Sequence, residues 1–526
     1  MAELKRVLGF WTILSLAIAS IMGTGLFFGT SIGSGYSGNA SILAWLIISI
    51  IAVIISMYFA ELSSMYPKAG GIYEFSKHAY TRFFSFIMGW TAWLVGNLTT
   101  ALLVVAAIDY LIPDASRFWL KVGISVMLIL ILNIIALFGI EASAFLLVVF
   151  ALTSVSVLLS LIFPGIFSIS AANYSPFFAF GISSIFVAIF FIAESFFGWE
   201  SATYLAEETK EPEKTIPKAI VIGTIVVGIL GTLTAAVSLG IIPWRILAAS
   251  NAPLAIVSER LMGSIGMGVI NIGIFIALIG SAAGGIITMP RLILALARDK
   301  LFISQLSDIH EKFQTPYKAI LFQTIVSLLV FGMAFGRYKQ LLSLLLPLGF
   351  IMYFFVILSV PVLRKKEPSA RREFKVPFAK LASALLMIFI ACLIFVWAFS
   401  DESAVKTLKL GFSLILVGIP IYLMLEIYYN PDAIIKINDA LAYLTLMTEK
   451  ITLPKNVRKE ILVLLGDVKG KRVLEFGCSV GTLTMHLAES VNPNGRVYAT
   501  DLSRRDLLIT KKRLVKKGHT HVIVVH

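Results

Sequence analysis

The chain has 526 residues, of which 58% are hydrophobic and 14% charged, and its formal net charge is +14. Soluble domains run near 45–50% apolar and about 25% charged, so neither a soluble enzyme nor a nucleic-acid-binding domain accounts for the whole chain. Two cysteines, Cys392 and Cys478, exclude a disulfide framework, and His519, His521 and His526 lack the acidic or thiol neighbours of a metal site.

Apolar runs of 18 or more residues recur from Trp11 to Tyr428, each long enough for a hydrocarbon core of about 30 Å. Twelve spans are expected, over 7–30, 41–64, 84–112, 119–138, 142–167, 182–205, 219–242, 267–297, 316–335, 341–363, 380–399 and 408–428. The first is too long for a cleaved signal peptide and has no small-residue cleavage site. Its middle reads Ser20-Ile21-Met22-Gly23-Thr24-Gly25-Leu26-Phe27, and the sixth span reads Glu194-Ser195-Phe196-Phe197-Gly198-Trp199-Glu200. Lipid offers backbone groups no partner, so unwound backbone is tolerated only where it lines a cavity. Gly-interrupted spans at matching places in two halves of a chain point to a transporter's substrate site.

With the N-terminus in the cytoplasm, the inward loops collect Arg298, Lys300, Lys312, Arg364, Lys365, Lys366, Arg371, Arg372 and Lys375, while the outward loop 167–181 carries no charge. That asymmetry is the positive-inside pattern. The basic balance is therefore a topology signal with membrane lipid as its partner, and no nucleic acid is expected. Twelve spans bring the C-terminus back to the cytoplasm of a multi-pass plasma-membrane protein.

Composition changes after Tyr429-Asn430-Pro431. Residues 430–454 read as an amphipathic connector, with Ile434, Ile437, Leu441, Leu444 and Met447 at helical spacing; it could lie on the inner leaflet or pack beneath the bundle. A short strand then runs through Val473 and Leu474 into a Gly-rich turn, followed by a helical pattern over 482–491, a strand over 496–500 ending at Asp501, a basic helix over 503–517 and a strand over 520–525. This β-α-β-α-β order, with an acid 20–25 residues beyond the turn, is the spacing that sets a carboxylate on a ribose. Three segments follow: a membrane domain over 1–429, the connector over 430–454 and a partial Rossmann-like α/β domain over 455–526.

The local runs of the membrane part resemble the amino acid–polyamine–organocation transporter superfamily. Met22-Gly23-Thr24-Gly25-Leu26-Phe27 resembles its first-span break. Glu61, Pro67, Gly70-Gly71, Tyr73 and Gly89-Trp90 resemble the stretch from its second span into its third. Phe197-Gly198-Trp199-Glu200, Glu207-Glu208, Pro212 and Ile216-Pro217 resemble its sixth span and exit. Arg291 and Ala297-Arg298-Asp299 match the end of its eighth span, Thr315-Pro316 opens the ninth, and the run from Arg364 to Pro377 matches its basic loop. The resemblance implies an all-α, LeuT-like fold of two inverted five-helix repeats plus two helices. It also implies a substrate site at the two breaks. The helix start after Gly23 presents N–H groups suited to a carboxylate, and the glycines allow close approach. In the family, carbonyls of the sixth-span break take the substrate amine, which here implicates Phe196, Phe197 and Gly198 beside Met22, Gly23, Thr24 and Gly25.

Two departures from the family pattern matter. The residue four before Gly198 is usually aromatic and is here Glu194. A carboxylate in a span is a functional candidate, and this one could pair with a cationic substrate group, carry a proton or meet a backbone donor. Many sodium-independent members carry a Lys in the fifth span, where this chain has Ser154 beside Thr153. Those hydroxyls, with Ser281, could be oxygen ligands of a sodium site or could bond within their own helices. The coupling ion, H+ or Na+, stays open between these groups and Glu194.

The C-terminal segment resembles the first half of class I S-adenosylmethionine-dependent methyltransferases. Glu475-x-Gly477-x-Ser479-x-Gly481 stands for the glycine motif and Asp501 for the ribose-binding acid. The family sheet runs 3-2-1-4-5-7-6 and this segment ends at strand 3, which leaves strand 1 as an open edge. A remnant, a cofactor-sensing domain and an enzyme completed by another chain are the three readings. For the whole chain the expectation is a secondary active permease for amino acids or related amines, with cationic substrates as one option, that needs no cofactor for transport. The alternative is a membrane-anchored S-adenosylmethionine-binding or methyltransferase protein whose spans are an anchor.

Overall fold

The computed structural model describes residues 4–112, 114, 116–334, 338–430 and 433–526. Phe335 and Pro431, which bound the ninth span and the connector in the sequence reading, lie outside the described residues, as does the side chain of Ile437. The chain divides into two units, Met1–Tyr422 and Leu423–His526.

The first unit is helical. Its elements are α1 (Phe10–Ile21), α2 (Thr24–Ser37), α3 (Ser41–Met65), α4 (Ile72–Ala79), α5 (Arg82–Leu111), α6 (Phe118–Leu137), α7 (Ile140–Ile166), α8 (Ser183–Ile192), α9 (Trp199–Tyr204), α10 (Pro212–Ile241), α11 (Trp244–Ala248), α12 (Pro253–Arg298), α13 (Tyr317–Ala334), α14 (Tyr338–Lys366), α15 (Ala379–Ser400) and the start of α16 (Ala404–Tyr429). Ten stretches among the described residues are long and apolar enough to cross a membrane. One of them, Phe10–Met65, holds α1, α2 and α3 together, and the apolar helix Tyr317–Met333 is shorter than the others. Large side chains such as Leu152, Phe163 and Ile388 are exposed, whereas Glu61, Glu194, Glu208 and Arg291 are buried. This inversion of the soluble pattern fits a lipid solvent.

Span limits differ from the sequence reading where a glycine re-aims the chain. The first span does not stop at residue 30 but continues as α2 to Ser37. The eighth is preceded by ten further helical residues. Gly263, at φ 70°, breaks α12, and the apolar pattern that sequence reading detects starts only beyond that turn. The short helices α4 and α11 fall in stretches read as loops, because neither is long enough to show as an apolar run.

Many residues that carry the sequence motifs meet at helix ends as ion pairs. Glu61 of α3 receives Arg364 Nε and Nη2 of α14 at 2.8 and 2.6 Å and the Val376 amide at 2.7 Å. Arg291 of α12 holds both oxygens of Glu208 at 2.9 and 2.8 Å, with both side chains buried. Arg298 binds Glu207 at 2.8 Å, and Tyr73 and Lys77 of α4 reach Asp299 at 2.6 and 2.5 Å. Such fork-to-carboxylate contacts fix geometry as well as energy.

The second unit contains the end of α16, α17 (Ala433–Thr452), α18 (Lys455–Leu465), β1 (Arg472–Phe476), α19 (Thr484–Ser490), β2 (Arg496–Thr500), α20 (Arg504–Lys517) and β3 (Val522–Val525). The three strands are parallel in the order β1-β2-β3, with Leu474 opposite Tyr498 and Tyr498 opposite Ile523. α17 packs on α20, while Ile434, Leu441, Leu444 and Met447 of its apolar stripe stay exposed. Its Ala442 joins Val480 and Ile509 in a small core, and its Glu449 accepts from Thr482 and pairs with Arg513, each at 2.8 Å.

Removing one partner of the buried Arg291–Glu208 pair leaves an uncompensated charge, which costs about 3–5 kcal/mol. Arg291→Met should therefore lower the unfolding temperature in detergent markedly. The double variant Arg291→Met/Glu208→Gln should recover much of that loss in the same melting measurement.

Candidate functional site

The two interrupted spans of the first unit meet at their breaks. α1 ends at Ile21, with Met22 N bonded to Ile18 O and Gly23 N to Ile21 O, and α2 restarts at Thr24. α8 tightens into a single turn over Ala193–Phe196, and the chain resumes as α9 after Gly198. Gly198 has φ 124° and packs directly on the carbonyl of Ser20, where a Cβ would lie 2.8 Å from the Ser20 carbonyl carbon. No other residue type fits both demands.

A helix start inside an apolar bundle leaves N–H groups without partners. Here the chain supplies a partner itself. Glu194 Oε1 accepts from Thr24 N at 3.2 Å, and Oε2 accepts from Gly25 N. Glu194 thus meets backbone donors, one of the three roles that the sequence left open for it. The glycines follow from it. A Cβ on Gly23 would sit 2.6 Å from Glu194 Oε1, and one on Gly25 would sit 2.8 Å from both Glu194 Oε2 and Ser195 N.

Three other helices reach the breaks. Ser281 of α12 donates to Ala19 O and Met22 O at 2.6 and 2.9 Å. From α14, Tyr338 donates to Thr24 Oγ1 at 3.0 Å, and the Tyr353 hydroxyl accepts from Gly198 N at 3.3 Å and donates to Glu200 at 2.9 Å. Tyr110 of α5 donates to Phe27 O at 3.1 Å. Phe196 faces Trp45, and Phe197 packs edge-on against Phe350 and Tyr353. Gly198 O is engaged by Ser201 N in the first turn of α9.

The structure thus brings together Met22, Gly23, Thr24, Gly25, Glu194, Phe197, Gly198 and Ser281. Thr153 and Ser154 bond instead to Val149 O and Phe150 O of their own helix. Sequence reasoning missed Ser195, Tyr338 and Tyr353. Ser195 Oγ is fully buried beside Gly25 with no hydrogen-bond partner. Tyr353 was detectable as a lone phenol in an apolar run, whereas Tyr338 lies just before the run that marked its span.

In the second unit the glycine motif is a compact turn. Gly477, Ser479 and Gly481 all have positive φ, and the amides of Gly477 and Cys478 both donate to Thr500 O at 2.9 Å. Asp501 accepts from Ser479 N and Ser503 N, each at 2.8 Å. Glu475 accepts from Thr484 Oγ1 at 2.6 Å. The five predicted residues are therefore in register around the turn, with Asp501 bracing it from the end of β2. β1 is the uncovered edge that was expected, with Leu474 and Phe476 exposed.

Burial pushes the Glu475 carboxyl up to about 7, helped by Asp501 and opposed by the Thr484 bond. Burial, then Asp501 and Asp439, raises Asp506 to about 6. Ordinary carboxyls titrate near 4, so between about pH 4 and 7 these two carboxyls bind more protons in the folded unit than in the unfolded chain. The stability they contribute then falls as pH rises through that window. Amide exchange over residues 472–506 of the full chain should be slower at pH 5 than at pH 8, after correction for intrinsic rates. Glu475→Gln should flatten that difference.

Comparison with known proteins adds the following. Residues 8–425 match the family described as "Amino acid permease", and residues 446–526 match the "ubiE/COQ5 methyltransferase family". The chain is 25% identical over 451 residues to the branched-chain amino acid permease BcaP of Bacillus subtilis, covering 80% of this chain and 93% of the relative. It is 26% identical over 434 residues to the serine/threonine exchanger SteT of the same organism, covering 80% and 96%. It is 28% identical over 485 residues to the human cystine/glutamate transporter, covering 88% and 91%.

Proposed function

The chain belongs to the amino acid permease family, and from that premise we propose that it is a secondary active transporter of amino acids or related amines working by alternating access. The observation that carries this reading is the pair of facing breaks. An anchor for a methyltransferase needs no interrupted span, and unwound backbone at two facing positions is justified by a ligand path between them. The relatives above are named for branched-chain amino acids, for serine and threonine, and for cystine and glutamate.

The spans number twelve when Phe10–Met65 is divided between α2 and α3 and the apolar helix Tyr317–Met333 is included. This supports two inverted five-helix repeats, with breaks at corresponding places in the first and sixth spans, plus two further helices. The basic loops support a multi-pass plasma-membrane protein with both termini in the cytoplasm. The substrate site is proposed at Met22, Gly23, Thr24, Gly25, Glu194, Phe196, Phe197 and Gly198. Ser281, which joins the carbonyls of Ala19 and Met22, is the coupling candidate if the ion is Na+, and Glu194 if it is H+. Thr153 and Ser154 are weaker candidates because their hydroxyls serve their own helix.

The methyltransferase-like segment is proposed to have no catalytic role. Its turn and Asp501 fit the nucleoside half of S-adenosylmethionine, which Glu475, Gly477, Ser479, Gly481 and Asp501 would hold. When bound, that group supplies an activated methyl. The chain's own contribution is limited to positioning the nucleoside, since a cofactor pocket buries most of its ligand and β1 is open to solvent.

Uptake into proteoliposomes of a radiolabelled amino-acid and amine panel, with imposed pH and sodium gradients, tests the reading. Gly25→Val, which forces a side chain against Ser195 and Glu194, should abolish uptake and lower the melting temperature of a purified protein that still inserts and elutes as a single species. Unchanged uptake would move the site elsewhere. Deleting residues 455–526 should leave the uptake rate within about twofold of the full chain, because both breaks lie far upstream of that segment. Calorimetry with S-adenosylmethionine on the full chain should show at best weak binding, and micromolar binding abolished by Asp501→Ala would instead make the segment a sensor.

A further inference from the structure

The amides that open α2 already hold a carboxylate, and it belongs to the protein. Thr24 N and Gly25 N both donate to Glu194, and the preceding amide, Gly23 N, is spent on Ile21 O at 2.7 Å. The space that side chains would take at 23 and 25 is filled by the same carboxylate and by Ser195. A ligand carboxylate therefore finds neither those donors free nor room beside them.

Evicting Glu194 is costly. Ion-paired cations of this unit are engaged elsewhere: Lys77 with Asp299, Lys121 with Asp109, Arg291 with Glu208, Arg298 with Glu207 and Arg364 with Glu61. None of the ion pairs among the described residues includes Glu194. A zwitterion brings an ammonium that can pair with Glu194, but its carboxylate, on the same carbon, would stand without a partner beside the first in a dry interior, where like charges disfavour one another. What the site lacks is a positive charge. It also holds a spare acceptor, the fully buried and unpartnered Ser195 Oγ beside Gly25.

We propose that Glu194 is the specificity determinant of this site, a tethered carboxylate that replaces the one an amino acid would bring. The ligand selected is then an alkyl- or arylalkylamine with no α-carboxylate, the decarboxylated counterpart of an amino acid. Its ammonium pairs with Glu194, and Ser195 Oγ accepts one further N–H. This narrows the permease reading above and rests on it.

The test is binding to purified full-length protein of matched pairs, leucine with isoamylamine, lysine with cadaverine and tyrosine with tyramine, for the wild type and two variants. The wild type should bind at least one amine tenfold or more tighter than its parent amino acid. Glu194→Ala frees the amides and the space, and should reverse that order by tenfold or more in favour of the amino acid. Glu194→Gln keeps the bulk without the charge, and should weaken the amine at least tenfold without gaining the amino acid. If Glu194→Ala does not fold, the glutamine variant decides alone. A wild type that prefers the amino acid in every bound pair, or variants that leave the order unchanged, would overturn the proposal while leaving the permease reading intact. A wild type that binds no member of the panel overturns both.

Discussion

Breaking a helix inside an apolar bundle frees backbone donors and acceptors that lipid cannot satisfy, and the centre of this protein is arranged around where those groups find partners. The N–H groups at the start of α2 find Glu194, the carbonyls at the end of α1 find Ser281, and the amide of Gly198 finds Tyr353. Each partner comes from a different helix. The breaks are therefore what holds α8, α12 and α14 to the α1–α2 pair, and a change in any one partner is felt at a helix end rather than in a side-chain pocket.

The helical spans and both interruptions could be read from the sequence, because length of apolar run and glycine placement are local properties. So could the three strands and the helices α19 and α20 of the second unit, where a short apolar strand gives way to a helical pattern at the glycine motif, but not α18. Less legible was what each residue does. Glu194 was singled out as an expensive carboxylate, but its position on the α2 amides depends on a fold that brings residues 170 positions apart together. Tyr338 and Tyr353 carry no local signal of their targets. α17 was legible as an amphipathic helix, but its contact with the α/β segment runs through Ala442 and Glu449, off the apolar stripe of Ile434, Leu441, Leu444 and Met447, which stays exposed.

The motif residues around Glu61, Arg291, Arg298 and Asp299 behave differently from the breaks. Their charges are compensated pairwise at helix ends, α3 with α14 and α12 with the chain that follows α9. Buried pairs of this kind contribute less to net stability than to choosing one arrangement over others. Their part is registry: they fix which helix ends meet, and the breaks then fall opposite one another.

The fit between Gly23 and Glu194 makes the history of this site depend on the order of events. A methyl group at position 23 meets the Glu194 carboxyl at 2.6 Å and its carbonyl oxygen at 3.2 Å, so a larger residue there is opposed for as long as Glu194 keeps its side chain. Shortening residue 194 first removes the nearer obstacle and leaves only the milder one. Two substitutions that arrive together at a workable site can therefore be reached by one path and blocked along the other. Descent at these two positions should run one way, with residue 194 changing ahead of residue 23.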